Sequence, residues 1–511
     1  MNVGRGGRGR LLCCLLGGVL VCLAASAAAG ARPGHRRALA AQTRVSVSVD
    51  RFAPGRQVPR GFLGLSFEAA ALPQLAADSR RGDLVRLLRS LGPGVVRFGG
   101  ITSDENVGFS EPSLPAPPWA SSVIDPAELD GIGQIARRSD WKVLLSVGMA
   151  HFEPATAARE VAAADRALGR SLMAVEIGNE PDAYGRHGFR ELPWIAQGYE
   201  EQVSIYREAI DALTPGIPIA GPDVSGSGVF REWGAAEALA QAPALLTGHH
   251  YPLGCAQIPP PSIEELLSPA TRVREEASLQ LYLAVARSAR IPVRIDETNS
   301  VSCGGVPGIS DTFASALWAA GYIVEGMQAG TAGINLEGNP TNCAGYTPLC
   351  ARSAAALARG ELSAQPDWYA LLLTRTLVGD RPLPIRVSAA GSPNLLVTAF
   401  AGPRHSMKVV MIDDDPPGSP PLSMRLYVGR GERSATVLAM TAPSPSSTSG
   451  VLLGGHAVAG DGVWSPPRAR TPRAVRAGVL ELSLAPSSAV LVTLNPERVR
   501  SRPARHSRRS R

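Results

Sequence analysis

From residue 61 to residue 338 the chain repeats one pattern, a short and nearly continuous apolar run followed by a stretch with helical spacing. The runs are "GFLGLSFE", "GVVRFGG", "WKVLLSVG", "LMAVEIGNE", "IPIAGPD", "LLTGHHYP", "IPVRIDE" and "TAGINLEG", eight in all. Between them, Tyr199, Val203, Tyr206, Ile210 and Leu213 recur at steps of four and three, as do Phe313, Leu317, Ala320, Val324 and Met327. An apolar run that does not alternate must be covered on both faces, the condition of a parallel sheet carrying helices. Eight such units predict a closed (β/α)8 TIM barrel rather than an open sheet, with "WYALLLTRTLVG" as its last helix.

After residue 380 the helices stop. "NLLVTAFAG", "KVVMIDDD", "LSMRLYVG", "SATVLAMTA" and "LELSL…AVLVTL" read as strands joined by turns, which predicts a C-terminal antiparallel β-sandwich. Near the N-terminus, "TRVSVSVD" alternates Val45, Val47 and Val49 with polar residues, the pattern of a half-buried strand, and is expected to complete that sandwich. "TAPSPSSTSG" reads as a loop within it. The expected division is a signal peptide at 1–31, an N-terminal strand at 44–57, the barrel at 58–379, the sandwich at 380–496 and a basic disordered tail at 497–511.

With 45% apolar and 19% charged residues, a large core is available. The net charge of +7 misleads, because the last fifteen residues contribute +6 while Arg5, Arg8, Arg10, Arg32, Arg36 and Arg37 contribute another +6, leaving the body at −5. That balance gives no reason to expect a nucleic-acid partner. Arg5, Arg8 and Arg10 precede an apolar segment from Leu11 to Leu23 and then Ala25-Ser26-Ala27 and Ala27-Ala28-Ala29, the form of an export signal with A-x-A sites. An uncleaved anchor helix is the alternative, disfavoured by the short apolar stretch. The expectation is a secreted or periplasmic protein that is not held at a membrane once the signal is cleaved. Beyond the signal four cysteines remain, Cys255, Cys303, Cys343 and Cys350. An even number in an exported chain implies two disulfides with three possible connectivities. The short loop between Cys343 and Cys350 favours their pairing, which leaves Cys255 for Cys303.

The fourth run ends in Asn179-Glu180 and the seventh in Glu297. In a barrel of this kind the strand C-termini converge on one face, where catalytic side chains gather. Hydrolysis of an acetal needs a carboxylic acid to protonate the leaving oxygen and a carboxylate to attack the anomeric carbon. Two glutamates facing across the barrel mouth meet that need. Metal chemistry is not expected, and no cofactor is: His249 and His250 are adjacent on a strand and point to opposite faces. Glu176 alternates into the strand interior and reads as a paired buried carboxylate, while Asp182 and Asp296 read as scaffold.

"LGLSFE", "VVRFGG", Gly178-Asn179-Glu180-Pro181, "HHYP" and "DETNS", in this order, resemble glycoside hydrolase family 79, the β-glucuronidase and heparanase family of clan A. The resemblance spans about residues 44 to 496. It implies Glu180 as acid/base, Glu297 as nucleophile, Asn179 on the sugar 2-hydroxyl, Tyr251 beside the nucleophile and Glu68 on the nonreducing side. It further implies that Gly304, Gly305 and Tyr346 hold the uronate carboxylate, and that Ser302 stands where the family carries a tyrosine. The implied activity is a retaining exo-β-glucuronidase releasing D-glucuronic acid, or its 4-O-methyl form, from a glycan or glycoside. An endo-acting, heparanase-like enzyme would need basic residues along a cleft, and the chain has only two lysines, Lys142 and Lys408. An inactive glycan-binding protein is the other alternative, and both glutamates being present counts against it.

Overall fold

The computed structural model describes residues 43–496 except 81, 404–405, 430–431, 460–462 and 466–471. The export segment and the Arg-rich tail lie outside these residues. The eight runs form one closed parallel barrel, in chain order Leu63–Glu68, Val95–Gly99, Lys142–Val147, Leu172–Ile177, Ile219–Val224, Leu245–His250, Val293–Thr298 and Gly333–Gly338. Closure comes from the last strand pairing with the first, Ile334 opposite Leu63 and Gly338 opposite Phe67.

Alternation along each strand sorts the inward side chains into layers. The lower layer holds Val95, Leu144, Ala174, Ala220 and Leu245, one from each of five consecutive strands, as a small apolar cluster of its own. Arg294 and Asn335 complete it, with Arg294 Nε donating to Asn335 Oδ1 at 2.6 Å. Gly64 and Gly333 make room for that pair, because a Cβ on Gly333 would stand 2.0 Å from Arg294 Nη1 and one on Gly64 2.1 Å from Asn335 Oδ1. The layers above are polar, which is where the site lies.

On the outer face, Tyr199, Val203, Tyr206 and Ile210 of helix Ala196–Leu213 are buried as the spacing predicts, whereas Leu213 at its end is exposed. Helix Phe313–Ala329 is buried nearly all round rather than along one stripe. It is wedged against the C-terminal sheet, with Leu396 and Ile412 beside Gly321. An all-round apolar surface is what such a sandwiched helix requires. The "TAPSPSSTSG" loop caps its start, since Ser447 and Pro445 carbonyls accept from the Phe313 and Ala314 N–H groups.

The C-terminal region is two packed sheets. One runs Ile385–Ala389, Arg44–Val49, Leu422–Tyr427, Val479–Leu484; the other is built on Leu395–Ala401, Met407–Asp413, Ser488–Pro496 and Glu432–Thr441. Val45 and Val47 are fully buried between them with Met411, Met424 and Leu426. The N-terminal strand pairs antiparallel with Ile385–Ala389 but parallel with Leu422–Tyr427, so that sheet is mixed. Strand Ile385–Ala389, absent from the sequence reading, lies beside Pro382 and Pro384, which break its pattern.

Candidate active site

One buried arginine organises the upper barrel. Arg97, from "VVRFGG", is fully buried. Its Nε meets Glu176 Oε2 at 2.8 Å and Asp296 Oδ2 at 3.1 Å, its Nη2 meets Asp223 Oδ2 at 2.7 Å, and its Nη1 meets Glu297 Oε2 at 2.9 Å. It also donates to Asn179 Oδ1 at 3.0 Å and Ser66 Oγ at 3.1 Å. A single guanidinium cannot neutralise four carboxylates, so protons make up part of the difference. Burial, then the neighbouring Asp296 charge, pushes Glu176 up to about 8 even though it faces Arg97. Burial and Asp223 push Asp296 up to about 7.

Two irregularities aim the carboxylates. Register shifts between Ile295 and Thr298 allow the adjacent Asp296 and Glu297 both to reach Arg97, which regular alternation forbids. A second shift between Pro222 and Val224, with Asp223 at φ 59°, turns Asp223 inward. These deviations carry no periodic signal, which is why the sequence does not mark Asp223 as a site residue.

Glu180 sits just beyond the fourth strand in a left-handed conformation, φ 46°, its N–H donating to the Asp223 carbonyl at 2.9 Å. Its side chain is 27% exposed against 11% for Glu297. His249 lies between them: Nδ1 is 2.9 Å from Glu180 Oε1 and 3.6 Å from Glu297 Oε1, and Nε2 is 2.8 Å from Asp223 Oδ1. One oxygen of Glu180 and one of Glu297 lie within 4.8 Å of each other. Burial would lower the His249 pKa, but Glu297 and Asp223 outweigh it and hold the ring protonated. For Glu297 burial alone would raise the pKa, yet His249 and Arg97, with hydrogen bonds from Tyr251 and Arg97, bring it below the usual carboxylate value. Its neighbours keep this carboxylate ionised.

Asn179 and Glu180 are held from below by Asp104, which the sequence reading passed over. Asp104 Oδ1 accepts from the Met149 and Ala150 N–H groups at 2.7 and 3.1 Å, and Oδ2 accepts from Asn179 N–H at 2.9 Å and Tyr184 hydroxyl at 2.6 Å. Two glycines permit this convergence. A Cβ on Gly148 would stand 2.2 Å from the Ser103 carbonyl oxygen, and one on Gly178, at φ 82°, 2.5 Å from Tyr184 hydroxyl. Each glycine directly precedes a residue whose N–H binds Asp104.

The remaining sequence-derived residues divide. Tyr251 hydroxyl donates to Glu297 Oε1 at 2.8 Å and lies 3.2 Å from Tyr346 hydroxyl, the two rings stacked 5.8 Å apart. Glu68 accepts from Thr102 N–H and hydroxyl at 2.9 and 2.6 Å rather than from a cation. Gly304 and Gly305 adopt positive φ, 84° and 85°, in the turn after the seventh strand. Gly305 N–H donates to the Ser302 carbonyl, while the Gly304 carbonyl accepts from Tyr346 N–H, which ties Tyr346 to that turn. Ser302 Oγ turns away and accepts from Cys255 N–H at 3.1 Å. Disulfides join Cys255 to Cys303 and Cys343 to Cys350, the pairing read from the sequence. Asp182 accepts from Ser225 N–H and hydroxyl as scaffold. His250 points outward against Tyr322, 4.9 Å between rings.

Glu180, His249 and Glu297, and likewise Asp223, His249 and Asp296, lie close enough to share an ion.

No family model matches the chain. A β-glucuronidase of Neurospora crassa is 24% identical over 365 residues, covering 61% of this chain; the chain spans 63% of that relative's length. Among solved structures, a 4-O-α-L-rhamnosyl-β-D-glucuronidase of Fusarium oxysporum 12S in complex with Rha-GlcA superposes with a TM-score of 0.70 at 19% identity, over 88% of this chain and all of that one. The family 51 arabinofuranosidase of Xanthomonas axonopodis pv. citri follows with a TM-score of 0.64 at 14% identity, over 89% of this chain and all of that one. At such identities the superpositions establish the shared architecture. The curated relative and the first of these structures agree with the resemblance carried by the motifs.

Proposed function

We propose that this chain is a retaining exo-β-glucuronidase acting on terminal β-linked glucuronic acid of a glycan or glycoside. The observation that carries the reading is the pair of glutamate oxygens within 4.8 Å. Retaining glycosidases hold their carboxyl groups about 5 to 5.5 Å apart, and inverting ones about 6.5 to 9.5 Å, to admit a water. Glu180, the more exposed of the two, protonates the leaving oxygen. Glu297, kept ionised by Arg97 and His249, attacks the anomeric carbon to form a glycosyl ester. Glu180, now a carboxylate, deprotonates the water that cleaves this ester and regains its proton. Asn179, fixed by Arg97 and Asp104, is placed to hydrogen-bond the 2-hydroxyl as positive charge develops at the anomeric carbon.

The uronate preference is supported by the curated β-glucuronidase relative and by the stacked Tyr251 and Tyr346 hydroxyls beside Glu297. Action on chain ends rather than within a sulfated chain is supported by the acidic, lysine-poor body. Export is supported by the A-x-A segment and the two disulfides, which persist in oxidising compartments. The experiment is a panel of 4-nitrophenyl glycosides, β-glucuronide beside β-glucoside, β-xyloside, β-galactoside and α-L-arabinofuranoside. The glucuronide should turn over fastest, and proton NMR should show the β-anomer released first. A preference for a neutral sugar, or first release of the α-anomer from the glucuronide, would refute the substrate or the mechanism respectively.

A further inference from the structure

The last barrel strand brings into the site a carboxyl group that the mechanism above leaves unused. Glu337 stands one residue before that strand ends, opposite Ser66 of the first strand. Its side chain is buried and hydrogen-bonded to Ser66. Ser66 Oγ accepts from Arg97 Nη1, which also donates to Glu297. Glu337 is thus linked through Ser66 and Arg97 to the carboxylate proposed to attack. Its Oε2 is buried without a hydrogen-bond partner among the described residues. Such an oxygen is costly to bury unless a ligand or a water satisfies it.

Charged and titratable groups face Glu337 from the neighbouring elements. Glu68 ends the first strand, Arg97 lies on the second, Tyr251 follows the sixth, Glu297 is on the seventh, and Tyr346 is in the loop after the eighth. Burial first, then Glu297 and Glu68, hold the Glu337 carboxyl well above the usual carboxylate range, outweighing Arg97. Among the charges acting on Tyr346, that of Glu337 is the largest. Two carboxylates confined together do not both ionise. A uronate entering beside Tyr346 therefore meets either a proton donor or a like charge.

Building on the glucuronidase reading, we propose that Glu337 contacts the substrate and makes uronate binding pH-dependent. As the neutral acid it donates a hydrogen bond to the sugar carboxylate near Tyr346, and as the carboxylate it repels that substrate. An O–H···O⁻ bond of this kind is among the stronger hydrogen bonds.

The test is KM against pH for the full chain, with 4-nitrophenyl β-D-glucuronide beside the neutral β-D-glucoside, from about pH 4 to about pH 10. The wild-type glucuronide KM should rise with pH, approaching about tenfold per unit once Glu337 ionises. The KM of any glucoside turnover should stay level. E337Q retains a neutral donor and cannot ionise, so its glucuronide KM should be level with pH. E337L has no donor, and its glucuronide KM should be raised throughout the range. A level wild-type profile overturns the proposal without any variant having to fold, and so does an E337Q slope matching wild type. In both cases glucuronide turnover itself would leave the glucuronidase reading standing. A wild type that cleaves neutral glycosides and no glucuronide would instead remove that reading, and this proposal with it.

Discussion

Glu180 and Glu297 differ in what surrounds them, and their proposed division of labour follows from this. Glu297 faces Arg97, His249 and Tyr251, three donors that favour its ionised form. Among the described residues the Glu180 side chain bonds only to His249, and it is the more exposed, as a group that exchanges protons with a leaving group and with water must be. E297Q should abolish turnover of every glycoside. E180Q should slow poor leaving groups by about 10² to 10⁴-fold, while 4-nitrophenyl substrates retain a first-step burst. Wild-type rates in both variants would reassign the site. The lowered Glu297 pKa also sets a pH expectation. Because the group ionises at lower pH than an ordinary glutamate, the acid limb of kcat/KM governed by Glu297 should lie below 4.5. H249N removes the largest of the favourable charges and should move that limb to higher pH; an unmoved limb would mean that His249 does not act on Glu297.

Elements matter through the way their ends are tied. The loops after the second, third and fourth strands share no sequence pattern, yet Asp104 holds the N–H groups of Met149, Ala150 and Asn179 with one carboxylate. Asparagine at that position matches in size but cannot accept all four bonds. D104N should therefore destabilise the fold by about 1 to 3 kcal/mol for each unmet donor. It should also lower kcat more than it raises KM, since Asn179 and Glu180 lose their placement. Unchanged kcat at reduced thermal stability would limit Asp104 to a structural role. The bulge that turns both Asp296 and Glu297 toward Arg97 belongs to the same scale: one extra residue in a strand, placed where the chemistry is proposed.

Across the whole molecule, buried carboxyl groups make stability depend on pH. Burial pushes Glu160 up to about 8, and burial with the Glu275 charge pushes Glu325 up to about 8. The folded protein keeps these protons where the unfolded chain, ionising near 4.5, releases them. Their contribution is therefore full below about 4.5 and is lost as pH rises toward 8. The melting temperature should fall from pH 5 to pH 9, and E160Q should flatten part of that fall. A melting temperature that rises over this interval would mean these groups are ionised in the folded state.

The barrel and the sandwich were legible because burial imposes periods. Strands covered on both faces must be apolar throughout, helices must show a stripe, and Val45 and Val47 could only alternate as they do on a half-covered strand. Glu180 and Glu297 were legible because strand ends are where such a barrel exposes polar groups. What was not legible depends on close approach between residues far apart in the chain. Arg97 looked like one polar residue in an apolar run until four carboxylates converged on it. Asp104 lay in an unpatterned loop, and Glu337 gave no sign of facing the site. No local spacing encodes which buried carboxyl keeps its proton. That is decided by the distances among Glu68, Arg97, His249, Glu297 and Glu337, which exist only once the barrel closes, because electrostatic energy depends on separation in space and on excluded water.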